Sequence, residues 1–315
     1  MPKPEFTFRH RIRNWPEYNQ ALVDRGRLTL WFDEAAVAGW RANDQSAGPG
    51  RPRVYADTTI ECALTLKSVF HLSLRATQGF LESVLALLRL ELPVPDYSTL
   101  SRRQPRLAMT LPFASSERPR HIVVDSTGVK VYGAGDWHAG KYRRSRRRTW
   151  RELHLGVDET TKEIVAVEVT TSCVHDSKRL PTLLSQVTGN IAQVSADRGY
   201  DARACYESIV SRGAVPTILP RKNACLGSGV DPPAWRAARN ANLREIQAQG
   251  HYEWRVSTAC TRRSLAENAV SRFKTLFGGR FWARTLISQQ VEALVKCAAL
   301  NRMTGLGMPA SVRVL

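Results

Sequence analysis

Arg262-Arg263-Ser264-Leu265-Ala266-Glu267-Asn268-Ala269-Val270-Ser271-Arg272-Phe273-Lys274 reads as one amphipathic helix. Leu265, Ala266, Ala269, Val270 and Phe273 recur at three- and four-residue steps and form its apolar face. Arg263, Glu267 and Lys274 follow one another at four and seven residues and stand close together on one side. On an isolated helix, a carboxylate between two cations is best read as a surface salt-bridge ladder. Two upstream aspartates change that reading. Each ends an apolar, β-branched run, as metal-binding carboxylates on a sheet would: Asp125 after His121-Ile122-Val123-Val124, and Asp197 after Ile191-Ala192-Gln193-Val194-Ser195-Ala196.

Around these aspartates the pattern is that of an α/β layer fold with a mixed sheet. Strands are expected at 121–124, 128–133, 153–158, 164–169, 191–196 and 214–219, with helices at 177–186, 203–212, 232–249 and 288–301. Ahead of them, 57–110 carries three short helical patterns. The first starts near Asp57-Thr58-Thr59, the second has Phe80, Val84, Leu85, Leu87 and Leu88 as its core face, and the third is capped by Asp96 or Ser98. The third carries Arg102 and Arg103, with Arg106 just past the break at Pro105. An arginine-rich third helix fits a helix-turn-helix module entering a major groove, and equally fits a small bundle with a solvated basic face. The expected division is an N-terminal arm over 1–56, a helical DNA-binding region over 57–111, a catalytic domain over 120–302 and a tail over 303–315.

The 315 residues are 43% hydrophobic, which is ordinary, but the formal net charge is +18, which calls for a polyanionic partner. Seven cations crowd into Lys141-Tyr142-Arg143-Arg144-Ser145-Arg146-Arg147-Arg148-Thr149-Trp150-Arg151. Such a run repels itself, and a nucleic-acid backbone would relieve it while Trp150 stacks on a base. The first residues, Met1 to Phe6, lack the apolar segment of an export signal, and no apolar run reaches membrane-spanning length. A cytoplasmic, nucleoid-associated protein is expected, without a membrane partner. The six cysteines show no zinc-ligand spacing.

Asp125, Asp197 and Glu267 lie 72 and 70 positions apart. If the two aspartate strands are neighbours, and the late helix packs on them, three carboxylates meet in a basic protein. They would repel one another unless they hold hard divalent cations, for which oxygen ligands favour Mg2+ or Mn2+. Two such ions would serve an in-line phosphodiester displacement. Asp158 is the strongest rival, since it also ends an apolar strand, whereas Asp176 reads as a helix cap.

At these residues the sequence resembles bacterial DDE transposases of the insertion-sequence-five family, nine-oh-three-like subgroup. The resemblance runs in order through Tyr18 to Val23 with Leu30-Trp31-Phe32-Asp33, Pro95 to Arg103, Val124 to Gly133, Ser195-Ala196-Asp197 with Gly199-Tyr200-Asp201, and Arg262 to Glu267 with Arg272-Phe273-Lys274. It implies a ribonuclease-H-like catalytic domain behind an N-terminal DNA-binding region. It also implies metal-dependent cleavage at terminal inverted repeats, transfer of the freed 3′-ends into target DNA, and a homo-oligomer on the DNA. By the same resemblance Asp125, Asp197 and Glu267 are the metal-binding catalytic residues, and Arg263 and Lys274 the flanking phosphate-positioning cations. Two positions depart from the pattern: Cys260 stands where the family has tyrosine, and Arg198 where a small residue is expected. Another ribonuclease-H-like nuclease, or a copy that only binds DNA, are the alternatives.

Overall fold

The computed structural model describes residues 9–42, 54–133, 150–229 and 231–314. The chain begins with a short strand, β1 (Arg9–Ile12), followed by helices α1 (Trp15–Asp24), α2 (Leu28–Trp31) and α3 (Glu34–Ala38). Three longer or better capped helices come next: α4 (Asp57–Val69), α5 (Leu74–Leu87) and α6 (Tyr97–Arg103). The α/β part follows as β2 (Arg120–Val131), β3 (Trp150–Asp158), β4 (Ile164–Thr171), α7 (Leu180–Gln186), β5 (Ile191–Ala196), α8 (Arg203–Val210) and β6 (Val215–Ile218). The chain closes with α9 (Ala234–Gln249), α10 (His251–Ser257), α11 (Ser264–Phe277), β7 (Arg280–Phe281), α12 (Leu286–Leu306) and β8 (Ser311–Val314).

The central sheet is mixed, with order β4-β3-β2-β5-β6. β3 is antiparallel to both β2 and β4, while β5 is parallel to β2 and β6. Alternation along β2 sends Val123 and Val129 to one core, shared with Leu153, Leu155, Val157, Phe273 and α12, and Ile122 and Val124 to a second core with Leu180, Val194 and Tyr206. Helices therefore cover both faces, as expected.

Four expectations change. β2 is one strand rather than two, because Asp125, Ser126 and Thr127 keep their ladder with Leu155, His154 and Leu153. Gly128 does not break it: a Cβ there would stand 3.2 Å from the Trp150 ring, so the glycine lets the indole lie against the strand. Residues 15–40 are not an extended arm. Trp31 and Trp40 are fully buried in the first core, their indole N–H groups donating to the carbonyls of Arg25 (3.1 Å) and Pro93 (2.7 Å). On α5 the buried residues are Thr77, Leu81, Val84 and Leu85, one helical stripe; Leu87 falls off it and Leu88 is the residue at which the helix ends, and both are exposed. Asp57 lies in the first turn of α4 rather than capping it, and pairs with Arg103.

The three helices 57–103 do form, and Asp96 caps the third through the N–H groups of Ser98 (2.8 Å) and Thr99 (2.9 Å). They are not a free-standing module, since α4 is buried against α12 and shares the core of the sheet.

Candidate active site

The parallel register β2/β5 pairs Val123 with Ser195; two residues further on stand Asp125 in β2 and Asp197, still extended, just past the end of β5. Period-two alternation therefore aims both carboxylates to one face of adjacent strands, and His121 Nε2 lies 2.8 Å from Ser195 Oγ on that same face. α11 packs across β2 and β3 on this side through Ala266, Ala269 and Phe273. Its first turn carries Glu267 over the aspartates. Arg263, in the 3-10 turn Cys260–Arg263, ties the group together: its guanidinium pairs with Glu267 and lies 3.7 Å from Asp125 Oδ1. Lys274 Nζ donates to Thr127 Oγ1 at 2.5 Å, two residues beyond Asp125 and on the same face. The sheet thus brings together Asp125 and Asp197 with Glu267, Arg263 and Lys274.

The site occupies a break in the sheet. On the edge of β2 facing β5, pairing stops at Val123 and resumes only at Lys130, where β7 begins. Burial raises the Asp125 pKa to about 6, with Asp197 and Glu267 adding to the rise and Arg263 and the Ser126 amide opposing it.

A carboxyl whose folded pKa exceeds its unfolded value loses stability as pH rises through that window. The Asp125 anion therefore weakens the metal-free protein above about pH 6, by on the order of 2–3 kcal/mol. Asp125→Asn is expected to raise the melting temperature at pH 7.5 by roughly 5 °C, with the gain fading towards pH 4.5. Thermal denaturation followed by circular dichroism at the two pH values checks this; an equal shift at both would mean Asp125 carries no such penalty.

The other acids have other partners. Asp158 is buried against Arg120 and accepts the Thr160 N–H at 2.8 Å, closing the turn after β3. Asp201 is held by Arg239 at 2.8 Å, and Glu168 by Arg179 at 3.2 Å. Asp176 does not cap the helix. His175 accepts the Ser177 N–H instead, and Asp176 faces His154.

The basic candidates separate. Arg102 and Arg106 are exposed on and just past α6, while Arg103 is engaged internally with Asp57 and the Tyr55 carbonyl (3.1 Å). Trp150 is exposed, with Lys130 Nζ 5.6 Å from its ring. Lys141, Arg143, Arg144, Arg146, Arg147 and Arg148 lie outside the described residues. Sequence reading gave no site role to His154, or to Tyr200, which entered only within the Gly199-Tyr200-Asp201 stretch of the resemblance; both stand near the carboxylates.

Among the described residues no three His, Cys, Asp or Glu side chains stand together closely enough to hold an ion, because Arg263 lies between Asp125 and Glu267. The donors nevertheless suit a hard divalent cation: all are carboxylate oxygens, and Asp125 is half-buried among other carboxylates.

Two family models, each described as "Transposase DDE domain", match residues 23–134 and 116–302. A solved structure, "Cryo-EM structure of piggyBac transposase synaptic complex with hairpin DNA (SNHP)", matches over 90% of this chain and 80% of its own at 9% identity, with a TM-score of 0.28, too slight a likeness to place any residue. The second family match spans more than half of the chain, which therefore belongs to the DDE transposases. Enzymes of this family generally use divalent metal ions.

Proposed function

We propose that the chain is the transposase of a bacterial insertion sequence, of the insertion-sequence-five family and its nine-oh-three-like subgroup. It binds the terminal inverted repeats, cuts the 3′-ends and joins them to target DNA. One observation carries this reading: Asp125 and Asp197 share a face of adjacent parallel strands, beneath the helix that presents Glu267. The strand order and directions favour a ribonuclease-H-like sheet.

Asp125, Asp197 and Glu267 are the residues that would hold the metal, Mg2+ or Mn2+, two ions in number. Bound there, the ions would activate the attacking hydroxyl and stabilise the leaving oxygen. The protein's own residues do the positioning. Arg263 and Lys274 bring fixed positive charge to a scissile phosphate, and a guanidinium released from Glu267 can fork onto its oxygens. Exposed Arg102 and Arg106 on the helix-turn-helix-like region and the exposed Trp150 ring would add DNA contacts, and the run of cations at 141–148 in the sequence would add charge for the same polyanion. Cys260 is buried with Ile246 and Trp254, so no phenol from that position joins the phosphate contacts; Arg198 is exposed beside Asp197. Synapsis of two ends calls for a homo-oligomer on DNA. No described helix is long and apolar enough to cross a membrane, and the +18 charge favours the nucleoid as its setting.

The test uses duplexes made from the DNA flanking this reading frame, purified protein and Mg2+. Nicks at the repeat boundary and joined products are expected. Magnesium-dependent cutting without preference for the repeat ends would instead favour a general nuclease, and binding without cutting a DNA-binding protein.

A further inference from the structure

Asp176 lies in the 3-10 turn Asp176–Lys178 that follows β4. A Cβ on Gly199 would stand 3.0 Å from Asp197 Oδ1 and 3.6 Å from Asp176 Oδ2, so both carboxylates border the same bare stretch of backbone. Asp197 already accepts the Gly199 N–H at 2.8 Å. Two fully buried polar groups adjoin this place without a well-formed hydrogen bond. One is His154 Nδ1, 3.6 Å from Asp176 Oδ1. The other is the Tyr200 hydroxyl, which is near enough to Asp176, Asp197 and Asp125 to feel their charges and lies by the Ser126 side chain. Buried polar atoms without a well-formed hydrogen bond are uncommon in folded proteins.

The His154 ring is fully buried. Its Nε2 faces Thr170 Oγ1 at 2.9 Å. If that hydroxyl donates to Nε2, the ring proton is on Nδ1 and points to Asp176. His154 pairs in register with Ser126, so these groups sit on the face of β2 opposite Asp125, and meet the site through the break between Val123 and Lys130.

We propose that Asp176 is a fourth carboxylate of the metal centre, reaching it from the face of the sheet opposite Glu267, with His154 and the Tyr200 hydroxyl as its buried supports. The proposal rests on the transposase site described above. Asp176 and Asp197 together serve the second divalent ion, and His154 Nδ1–H steadies the Asp176 carboxylate as it turns towards that ion.

Titration of the full chain with Mn2+ alone tests this. Wild type is expected to take up two ions. In Asp176→Asn one of them is expected to bind at least tenfold more weakly, while Asp176→Glu, which keeps the charge, retains it. Mn2+ is further expected to broaden the His154 ring-proton resonances in wild type, and to broaden them less in Asp176→Asn. Unchanged affinity and broadening in Asp176→Asn, with uptake impaired in Asp125→Asn, would overturn the role of Asp176 alone. Unchanged uptake in Asp125→Asn and Asp197→Asn as well would sink the carboxylate site itself. Loss of the ion in both Asp176 variants, with a lowered melting temperature, would assign Asp176 to the fold and also overturn the proposal.

Discussion

Glu267→Gln is expected to slow metal-dependent cleavage of repeat-end DNA by on the order of a thousandfold, about 4 kcal/mol of barrier. The substitution keeps the shape of the side chain and removes one anionic oxygen donor. Glu267 is half exposed on the first turn of α11 and carries none of the core packing, which falls to Ala266, Ala269 and Phe273. The fold should therefore survive. DNA binding should persist or tighten, since the change removes a negative charge that would repel DNA phosphates and frees Arg263 from its ion pair. Cleavage and filter-binding measurements on the same preparation separate the two effects. A variant that binds and cuts like wild type would remove Glu267 from the centre. Loss of binding would mean that the Arg263–Glu267 pair shapes the DNA surface.

The second large effect concerns the far wall of the break. Glu292 and Lys296 on α12 are both buried and 2.6 Å apart. The Glu292 carboxylate accepts the N–H groups of Trp282 (3.0 Å) and Ala283 (2.8 Å), and Lys296 donates to the Arg280 carbonyl at 3.0 Å. The ammonium is also boxed by Phe273, Phe277 and Phe281, with ring centroids 5.3–6.0 Å away. This pair anchors β7 and the chain after it, where the Tyr132 N–H meets the Phe281 carbonyl at 2.8 Å. Glu292→Leu would strand a buried cation and two N–H groups, and is expected to cost about 3–5 kcal/mol, or roughly 10 °C in melting temperature. The pair Glu292→Gln with Lys296→Met should recover most of that loss, because the amide oxygen can still accept N–H groups and no buried charge remains. Urea denaturation of the single and double variants decides it. A single variant as stable as wild type would mean that water reaches the pair.

The order of strands and helices was legible because apolar runs, helical stripes and caps act locally. The strand 191–196 and the helix around Glu267 could be read from pattern alone. What escaped was set by contacts distant in sequence. Trp31 and Trp40 read as parts of a polar arm, since the core that buries them is supplied by α4 and α12. Gly128 read as the start of a new strand, since the ring lying on it belongs to Trp150. The register that places Asp125 beside Asp197 has no sequence signature, so the resemblance, rather than spacing, singled these two out from Asp158. Asp176 looked like a helix cap because His154, which it faces, lies 22 residues earlier, on β3.

The shared core of α4–α6 and the sheet bears on how such an enzyme can acquire a new target. Leu66, Leu81 and Leu100 are packed in the same cluster as Val123 and Leu155. Helices α4–α6 cannot be exchanged as a cassette without disturbing the strand that carries Asp125. If α6 reads the repeat, evolution and engineering are left with its outer surface: Ser98, Ser101, Arg102 and, just beyond, Arg106. Repeat ends and transposase would then drift together one exposed side chain at a time, over an unchanging interior.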